Sequence, residues 1–169
     1  MGSVRGFELW DLFKFGSVNL DALTETFDIR FYGGYIARWP ELTVTAETAM
    51  GAVMGYFLGK VEGSRGDEIR KDWHGHVTAV TVAPQYRKLG LARSLMDLCE
   101  RVSDRLGCFF VDLFVRPSND VAVGMYKKRD YIVYREVASY YSKSGPGTSE
   151  EDAYDMRKAL SSDPDKSTL

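Results

Sequence analysis

The segment Val82-Ala83-Pro84-Gln85-Tyr86-Arg87-Lys88-Leu89-Gly90-Leu91-Ala92 decides the fold that the sequence predicts. An apolar strand ends here, and a loop with two cations and a glycine leads directly into a helix. A helix N-terminus presents unpaired backbone N–H groups and a positive dipole end, and a glycine lets a ligand approach the backbone closely. Arg87, Lys88 and Gly90 therefore predict a phosphate-binding turn. As a bare motif, the same residues also fit a solvated basic loop.

The elements around this turn favour the phosphate-binding interpretation. Residues 74–82 read as a strand, and the apolar positions of residues 91–106 recur at helical spacing before a capping Gly107. Residues 108–115 form a nearly continuous apolar run, which is typical of a central strand. A short helix at 118–129 follows. This order predicts an α/β fold with a mixed sheet.

The N-terminal part adds two predicted helices and two strands. Residues 9–15 are apolar on more than one helical face, which predicts either a helix buried inside the fold or a face that meets a partner chain. A polar loop is expected at 19–24, and the second helix is expected to end near Trp39. Strands are predicted at 43–47 and 53–62.

The C-terminal part predicts a closing hairpin and a tail. The hairpin strands are expected at 131–134 and 136–142. From Ser144 on, the composition turns to Ser, Gly, Pro, Asp and Lys. We therefore expect one domain at 1–143 and a polar, partly ordered or mobile tail at 144–169, with room for one helical turn at 153–160.

The composition of the 169-residue chain is that of an ordinary globular protein, with 44% apolar and 27% charged residues. A formal net charge of −2 excludes a global basic field for nucleic acid or anionic lipid. Cys99 and Cys108 lie in apolar stretches outside any metal-binding pattern, which predicts two buried, reduced thiols. Because no signal peptide or membrane-length apolar run is evident, we expect a cytoplasmic protein.

The turn also carries a family resemblance. Arg87-x-x-Gly90-x-Ala92 resembles the [Gln/Arg]-x-x-Gly-x-[Gly/Ala] motif of the GNAT acetyltransferases, whose backbone amides hold the pyrophosphate of coenzyme A. Beyond this motif, the chain resembles the catalytic subunits of NatB-type N-terminal acetyltransferases nearly throughout, up to about residue 160. The resembling stretches are NLDALTET at 19–26, WHGHVTAV at 73–80, FFVDLFVR at 109–116 and DAYDMRK at 152–158.

One residue departs from the family pattern. Asp130 stands where the family has a glycine after its last core helix. Aspartate tolerates left-handed backbone better than most residues, so the helix end is expected to survive.

No metal is expected, because His74 and His76 share one face of a strand but have no third ligand. The resemblance implies acetyl-CoA as co-substrate and an acceptor α-amine on proteins that begin with Met followed by Asp, Glu, Asn or Gln. It implies direct attack by the amine without a covalent intermediate. An α-amine with a pKa of about 7.7–8.0 is neutral for roughly a tenth to a quarter of the time, whereas a lysine amine near 10.4 is neutral for about one part in a thousand. Since no strong base is evident, an α-amine is favoured. A GNAT enzyme for lysine or a small amine, and a non-catalytic acetyl-CoA-binding subunit, are the alternatives.

The resemblance further implies partners. A helical-repeat auxiliary subunit is expected to form a heterodimer with the chain and to bring it to ribosomes and nascent N-termini. No direct contact with nucleic acid or membrane is expected.

Candidate site residues follow from the turn and the resemblance. Tyr126 is expected to protonate the leaving thiolate, and His76 is the second catalytic candidate. Because His76 and Thr78 share one face of a strand, they are also expected to bind a polar second residue of the acceptor. The cofactor-binding candidates are Val80, Val82, Arg87, Lys88, Gly90, Leu91, Ala92 and Asn119. The substrate-binding candidates are Glu25, Thr26, Phe27, His76, Thr78, Phe114, Tyr140 and Tyr141.

Overall fold

The computed structural model describes residues 2–19, 24–141 and 150–169, which contain one seven-stranded sheet and three α-helices. The strands are β1 (Ser3–Gly6), β2 (Thr43–Glu47), β3 (Val53–Glu62), β4 (His74–Val82), β5 (Phe110–Val115), β6 (Ile132–Tyr141) and β7 (Glu151–Ala159). The helices are α1 (Ile29–Arg38), α2 (Leu91–Arg105) and α3 (Asp120–Lys127), and short 3₁₀ helices cover Leu9–Phe13, Pro40–Leu42 and Pro84–Tyr86. The order across the sheet is β1-β2-β3-β4-β5-β7-β6. The predicted mixed α/β fold is confirmed.

A gap opens between the two central strands. β4 and β5 run parallel, with α2 as the crossover, but their ladder ends at the pair Val77–Leu113 although β4 continues to Val82. On its other side β4 carries an extra residue, Thr78, because the pairing with β3 shifts there. A bulge bends its strand, so β4 leaves β5 from Thr78 onward. This gap positions the site described below.

Two apolar clusters cover the two faces of the sheet. Successive residues of a strand point to opposite faces, and β3 shows this: Phe57 belongs to the cluster under α2 and α3, whereas Tyr56 and Leu58 belong to the cluster under α1. The first cluster takes Leu95 and Met96 from α2, and both side chains are fully buried. The sheet is therefore the middle of three layers.

The helix ends agree with the sequence. Gly107 has a φ of +74° just after α2, as a C-terminal cap requires, and Asn119 caps α3 by accepting from the N–H of Ala122 at 3.2 Å. Asp130 has a φ of +68°, so the departure from glycine is accommodated in left-handed backbone. Residues 20–23 of the predicted polar loop lie outside the described residues.

The prediction for the C-terminal part is wrong in two respects. Residues 132–141 form the single strand β6, with irregular register, where two hairpin strands were expected. The strand beside it is β7, which lies between β5 and β6, so residues 151–159 are neither a tail nor a helical turn. Within β7, Ala153, Asp155 and Met156 are fully buried. Residues 142–149 lie outside the described ranges.

The N-terminal apolar segment is not a helix enclosed by the fold. It forms the 3₁₀ helix Leu9–Phe13, in which Asp11 is buried and held by Arg5 at 2.8 Å. The side chains of Trp10 and Phe13 are 71% and 77% exposed. Of the two predicted arrangements, the structure therefore has the exposed apolar face.

Candidate active site

A cavity of about 730 Å³ fills the gap between β4 and β5. This size suits a small-molecule or cofactor ligand. Its walls come from β4, the turn into α2, the end of β5 and one face of α3. This cavity is the larger of two adjoining cavities, and all the predicted cofactor-binding residues line it, as does Tyr126. These residues are Val80, Val82, Arg87, Lys88, Gly90, Leu91, Ala92 and Asn119.

One end of the larger cavity is the N-terminus of α2. Gly90 is the N-cap residue of this helix, with a φ of +79°, and a Cβ built there would meet no atom within 4 Å. The glycine is thus needed for its left-handed backbone and leaves space above the first turn. Lys88 is also left-handed, with a φ of +63°, and the Nε of Arg87 donates to the carbonyl of Val82 at 3.1 Å. This end has the backbone N–H groups and cations to bind a phosphate.

Tyr126 lines the larger cavity from α3. The cap at Asn119 sets the start of α3, and Tyr126 lies two turns further along with only 5% of its side chain exposed. Burial raises the pKa of its phenol well above the usual value, with smaller contributions from Tyr141 and Cys99. The phenol therefore keeps its proton at neutral pH and can donate it to a developing anion.

A smaller cavity of about 400 Å³ adjoins the larger one. The two share Glu25, Val77, Thr78, Phe114 and Tyr141, while His76, Phe27 and Tyr140 line only the smaller one. The rings of Phe114 and Tyr140 stack at 4.6 Å. The hydroxyl groups of Thr78 and Tyr35 lie 2.8 Å apart. Of the predicted substrate-binding residues, Thr26 alone lines neither cavity, and it is exposed.

The sequence did not indicate Arg116 as a site residue, although it contacts three segments at the rim of the larger cavity. It lies just after β5 with little exposed surface, and its guanidinium contacts Glu25 at 3.2 Å and Glu151 at 3.3 Å. It also lies over the ring of Tyr141, 4.0 Å from the ring centre. These contacts join the segment before α1 to the ends of β6 and β7. The one feature of the sequence that could have indicated a role for Arg116 is its position directly after an apolar strand.

Both cysteines are free and buried, as predicted. Burial raises the pKa of each thiol to about 12, so neither is a thiolate at neutral pH. A nucleophilic role for either one is therefore disfavoured. Within the described ranges, no group of three or more His, Cys, Asp or Glu side chains is arranged to hold a metal ion.

The larger cavity thus has a helix end suited to a phosphate and a buried phenol that can donate a proton, which is what a transferase with a phosphate-bearing donor needs. The model of the acetyltransferase (GNAT) family matches residues 7–131, and the chain belongs to this family.

The relatives narrow the class to N-terminal acetyltransferases. The chain is 52% identical to the N-terminal acetyltransferase B complex catalytic subunit NAA20 of Arabidopsis thaliana, over 100% of this chain and 91% of the relative. Its structure matches Chaetomium thermophilum Naa20 in complex with a bisubstrate analogue with a TM-score of 0.90 and 43% identity, over 99% and 91% of the two chains. A chain of the NatB complex bound to a bisubstrate inhibitor matches with a TM-score of 0.83 and 40% identity, over 94% and 90%.

None of the helices in the described part of the chain is long and apolar enough to cross a membrane.

Proposed function

We propose that the chain is the catalytic subunit of a NatB-type N-terminal acetyltransferase. It transfers the acetyl group of acetyl-CoA to the α-amine of proteins that begin with Met followed by Asp, Glu, Asn or Gln. The observation that carries the proposal is the junction of two cavities at Thr78, one leading to the N-terminus of α2 and the other to His76. The relatives named as NatB catalytic subunits match over the full length of the chain.

The larger cavity binds acetyl-CoA. Its pyrophosphate lies at the N-terminus of α2, where the N–H groups after Gly90 and the charges of Arg87 and Lys88 meet it. Its pantetheine arm follows β4 beyond Val77, where the backbone has left its partner strand and offers hydrogen bonds at Val80 and Val82. Asn119 contributes at the start of α3.

The transfer is a direct displacement. The neutral α-amine attacks the thioester carbonyl carbon, the C–N bond forms, and the C–S bond breaks. Tyr126 donates its proton to the departing thiolate. The amine loses one proton to water, because an α-amine needs no strong base near neutral pH, and a proton from water restores the phenol of Tyr126.

The smaller cavity binds the first residues of the acceptor. Phe114 and Tyr140 form an apolar wall for the initiator methionine, with Phe27 beside them. Glu25 and Tyr141 border both cavities, where the amine meets the thioester. His76 and Thr78 supply polar groups for the second residue, and Thr26 lies at the exposed rim.

An auxiliary subunit of helical repeats covers the exposed apolar surface formed by Leu9, Trp10, Phe13 and Ile29. All four side chains are at least 48% exposed, and the rings of Trp10 and Phe13 are 6.0 Å apart. This subunit brings the enzyme to ribosomes, and the heterodimer is cytoplasmic. The relatives include chains of NatB complexes, which supports an assembly of this kind.

A peptide panel tests the proposal. Peptides that differ only at the second residue are incubated with acetyl-CoA and the chain, with and without its auxiliary subunit. We expect acetylation of Met-Asp, Met-Glu, Met-Asn and Met-Gln peptides, and none of Met-Lys or Ser-Glu peptides. Acetylation of an internal lysine in a peptide with a blocked N-terminus, with no turnover of Met-Asp, would replace the proposal by a lysine acetyltransferase.

A further inference from the structure

We infer that Asp112 is a positioning residue that sets the hydrogen-bonding state of His76 and thereby lets the enzyme distinguish acidic from amide second residues. The inference rests on the proposed function, because it names the group through which the second residue of the acceptor is recognised. It concerns a carboxylate that lines neither cavity and acts only through the imidazole.

The contact between the two side chains is direct. Asp112 on β5 stands opposite His76 on β4 in the parallel ladder, and its Oδ1 lies 2.7 Å from Nδ1 of the imidazole. Asp112 is only 6% exposed, and a buried carboxylate is costly unless it is paired. Since an ionised carboxylate only accepts hydrogen bonds, Nδ1 must carry the proton.

A second imidazole lies on the other side of Asp112. Oδ2 of Asp112 lies 3.6 Å from Nε2 of His74, beyond hydrogen-bond distance, and the ring of His74 stacks on Phe110 at 4.6 Å. Nδ1 of His74 donates to the carbonyl of Asp72 at 2.6 Å. Because Nδ1 carries the proton of a neutral His74, its Nε2 has none to donate to Asp112, and His74 lines neither cavity.

With Nδ1 bonded to Asp112, Nε2 of His76 can form a hydrogen bond with the second residue of the acceptor. His76 lines the smaller cavity, and among the residues that the structure describes its Nε2 has no hydrogen-bond partner. A neutral ring with its proton on Nδ1 can accept at Nε2 from the amide of Asn or Gln. A protonated ring donates from Nε2 to the carboxylate of Asp or Glu, while Asp112 carries the counter-charge.

Other charged and titratable groups surround the imidazole at longer range. Lys60 stands opposite His76 on β3 and is ion-paired with Glu62, and Glu25 reaches the cavity from the segment before α1. The further groups are His74 on β4, Tyr35 on α1, and Tyr140 and Tyr141 at the end of β6. Among these described neighbours, Asp112 is the one in hydrogen-bond contact with the ring.

The test compares two peptides, Met-Asp and Met-Asn, that are otherwise identical. Their kcat and KM are measured at the same pH, and the Met-Asp to Met-Asn ratio of the two kcat/KM values is compared between the parent and its variants. The shared Met α-amine cancels in this ratio. The enzyme is the full chain with its auxiliary subunit.

Three variants separate positioning from structure. D112N is expected to lower the ratio about tenfold, mainly through KM for Met-Asp. In an H76Q background, D112N should change the ratio no further, because Asp112 acts through His76. H74Q is the matched control, since it removes the neighbouring imidazole, and it should leave the ratio unchanged.

Two results would overturn the inference. One is that D112N lowers kcat/KM for both peptides by the same factor, or that its effect on the ratio adds to that of H76Q. The other comes from ¹⁵N NMR of the parent protein with labelled histidine, which needs neither a variant nor turnover. A neutral His76 with its proton on Nε2 contradicts the role of Asp112. If the parent acetylates neither peptide, the proposed function fails, and the NMR result alone decides the role of Asp112.

Discussion

Gly90 combines two properties that no other residue type supplies at its position. Its φ of +79° is strained for a residue with a Cβ, and the space beside it is open. The first N–H groups of α2 are therefore accessible from the larger cavity.

Replacing Gly90 by Asp should abolish binding of coenzyme A. The substitution places a side chain on left-handed backbone and adds a negative charge beside the phosphates. We therefore expect the affinity for coenzyme A to fall about 100-fold or more, or by roughly 2.7 kcal/mol. Isothermal titration calorimetry with coenzyme A measures it. Gly107→Asp is the matched control: Gly107 has a φ of +74° at the other end of α2, and a Cβ there also meets no atom within 4 Å. An unchanged affinity in the Gly90 variant would remove the phosphate-binding role of the turn.

Tyr126→Phe should separate binding from chemistry. The variant keeps the buried ring and loses the proton donor, so kcat should fall about 100-fold while coenzyme A affinity stays at the parent value. Steady-state kinetics and calorimetry check the two parts. Tyr131→Phe is the control, since this buried hydroxyl donates to Glu100 at 3.3 Å outside the cavities; it should lower stability by about 1 kcal/mol and leave kcat unchanged. A parent protein that binds coenzyme A without any turnover would instead indicate a non-catalytic subunit.

Among the elements, β7 shows why a local pattern can mislead. Its sequence, EDAYDMRKA, is rich in helix-forming residues and has no apolar alternation. Its buried Asp155 is paired with Arg135 at 2.9 Å and Arg157 at 3.3 Å, so a charged position lies in the interior. Only the pairing with distant strands makes this segment a strand.

A chain that ends at residue 149 should fail to fold. It loses the strand that pairs with β5 along Phe110–Val115 and with β6, which removes Met156 from the core and leaves Leu113 uncovered. Near-ultraviolet circular dichroism and thermal melting measure the outcome. A chain that ends at Leu160 keeps β7 and is expected to melt cooperatively. A cooperative melt of the shorter chain at the parent temperature would show that β7 is dispensable.

The predicted α2, α3 and central strands were found because their signals are local. Helical spacing, the caps at Gly107 and Asn119, and the apolar run of β5 depend on residues that are close in sequence. The acetyltransferase class implied by the resemblance of the turn to the GNAT motif is confirmed by the family match.

For the whole molecule, the exposed apolar surface predicts a dependence on a second chain. Trp10→Ser combined with Phe13→Ser should reduce co-purification of the auxiliary subunit, because both rings are largely exposed and aromatic side chains dominate binding at interfaces. We expect a loss of affinity of about 100-fold, measured by pull-down and biolayer interferometry. The matched control is Met50→Ser, an exposed apolar residue in the turn between β2 and β3. Equal recovery of the subunit with the double variant would exclude this surface as the interface.

The turn at residues 82–92 and the helix that it starts follow from the sequence alone, because backbone freedom, dipole and cation spacing are local properties. The family followed from the resemblance of the turn and of four further stretches to known acetyltransferases. Tertiary structure alone decided where β4 and β5 separate, where β7 inserts, and that Asp112 meets His76 and Arg116 meets Glu25. These partners are 36 and 91 positions apart along the chain. Periodicity reports which face of an element is apolar, but it carries no information on which strand lies beside it or in which register.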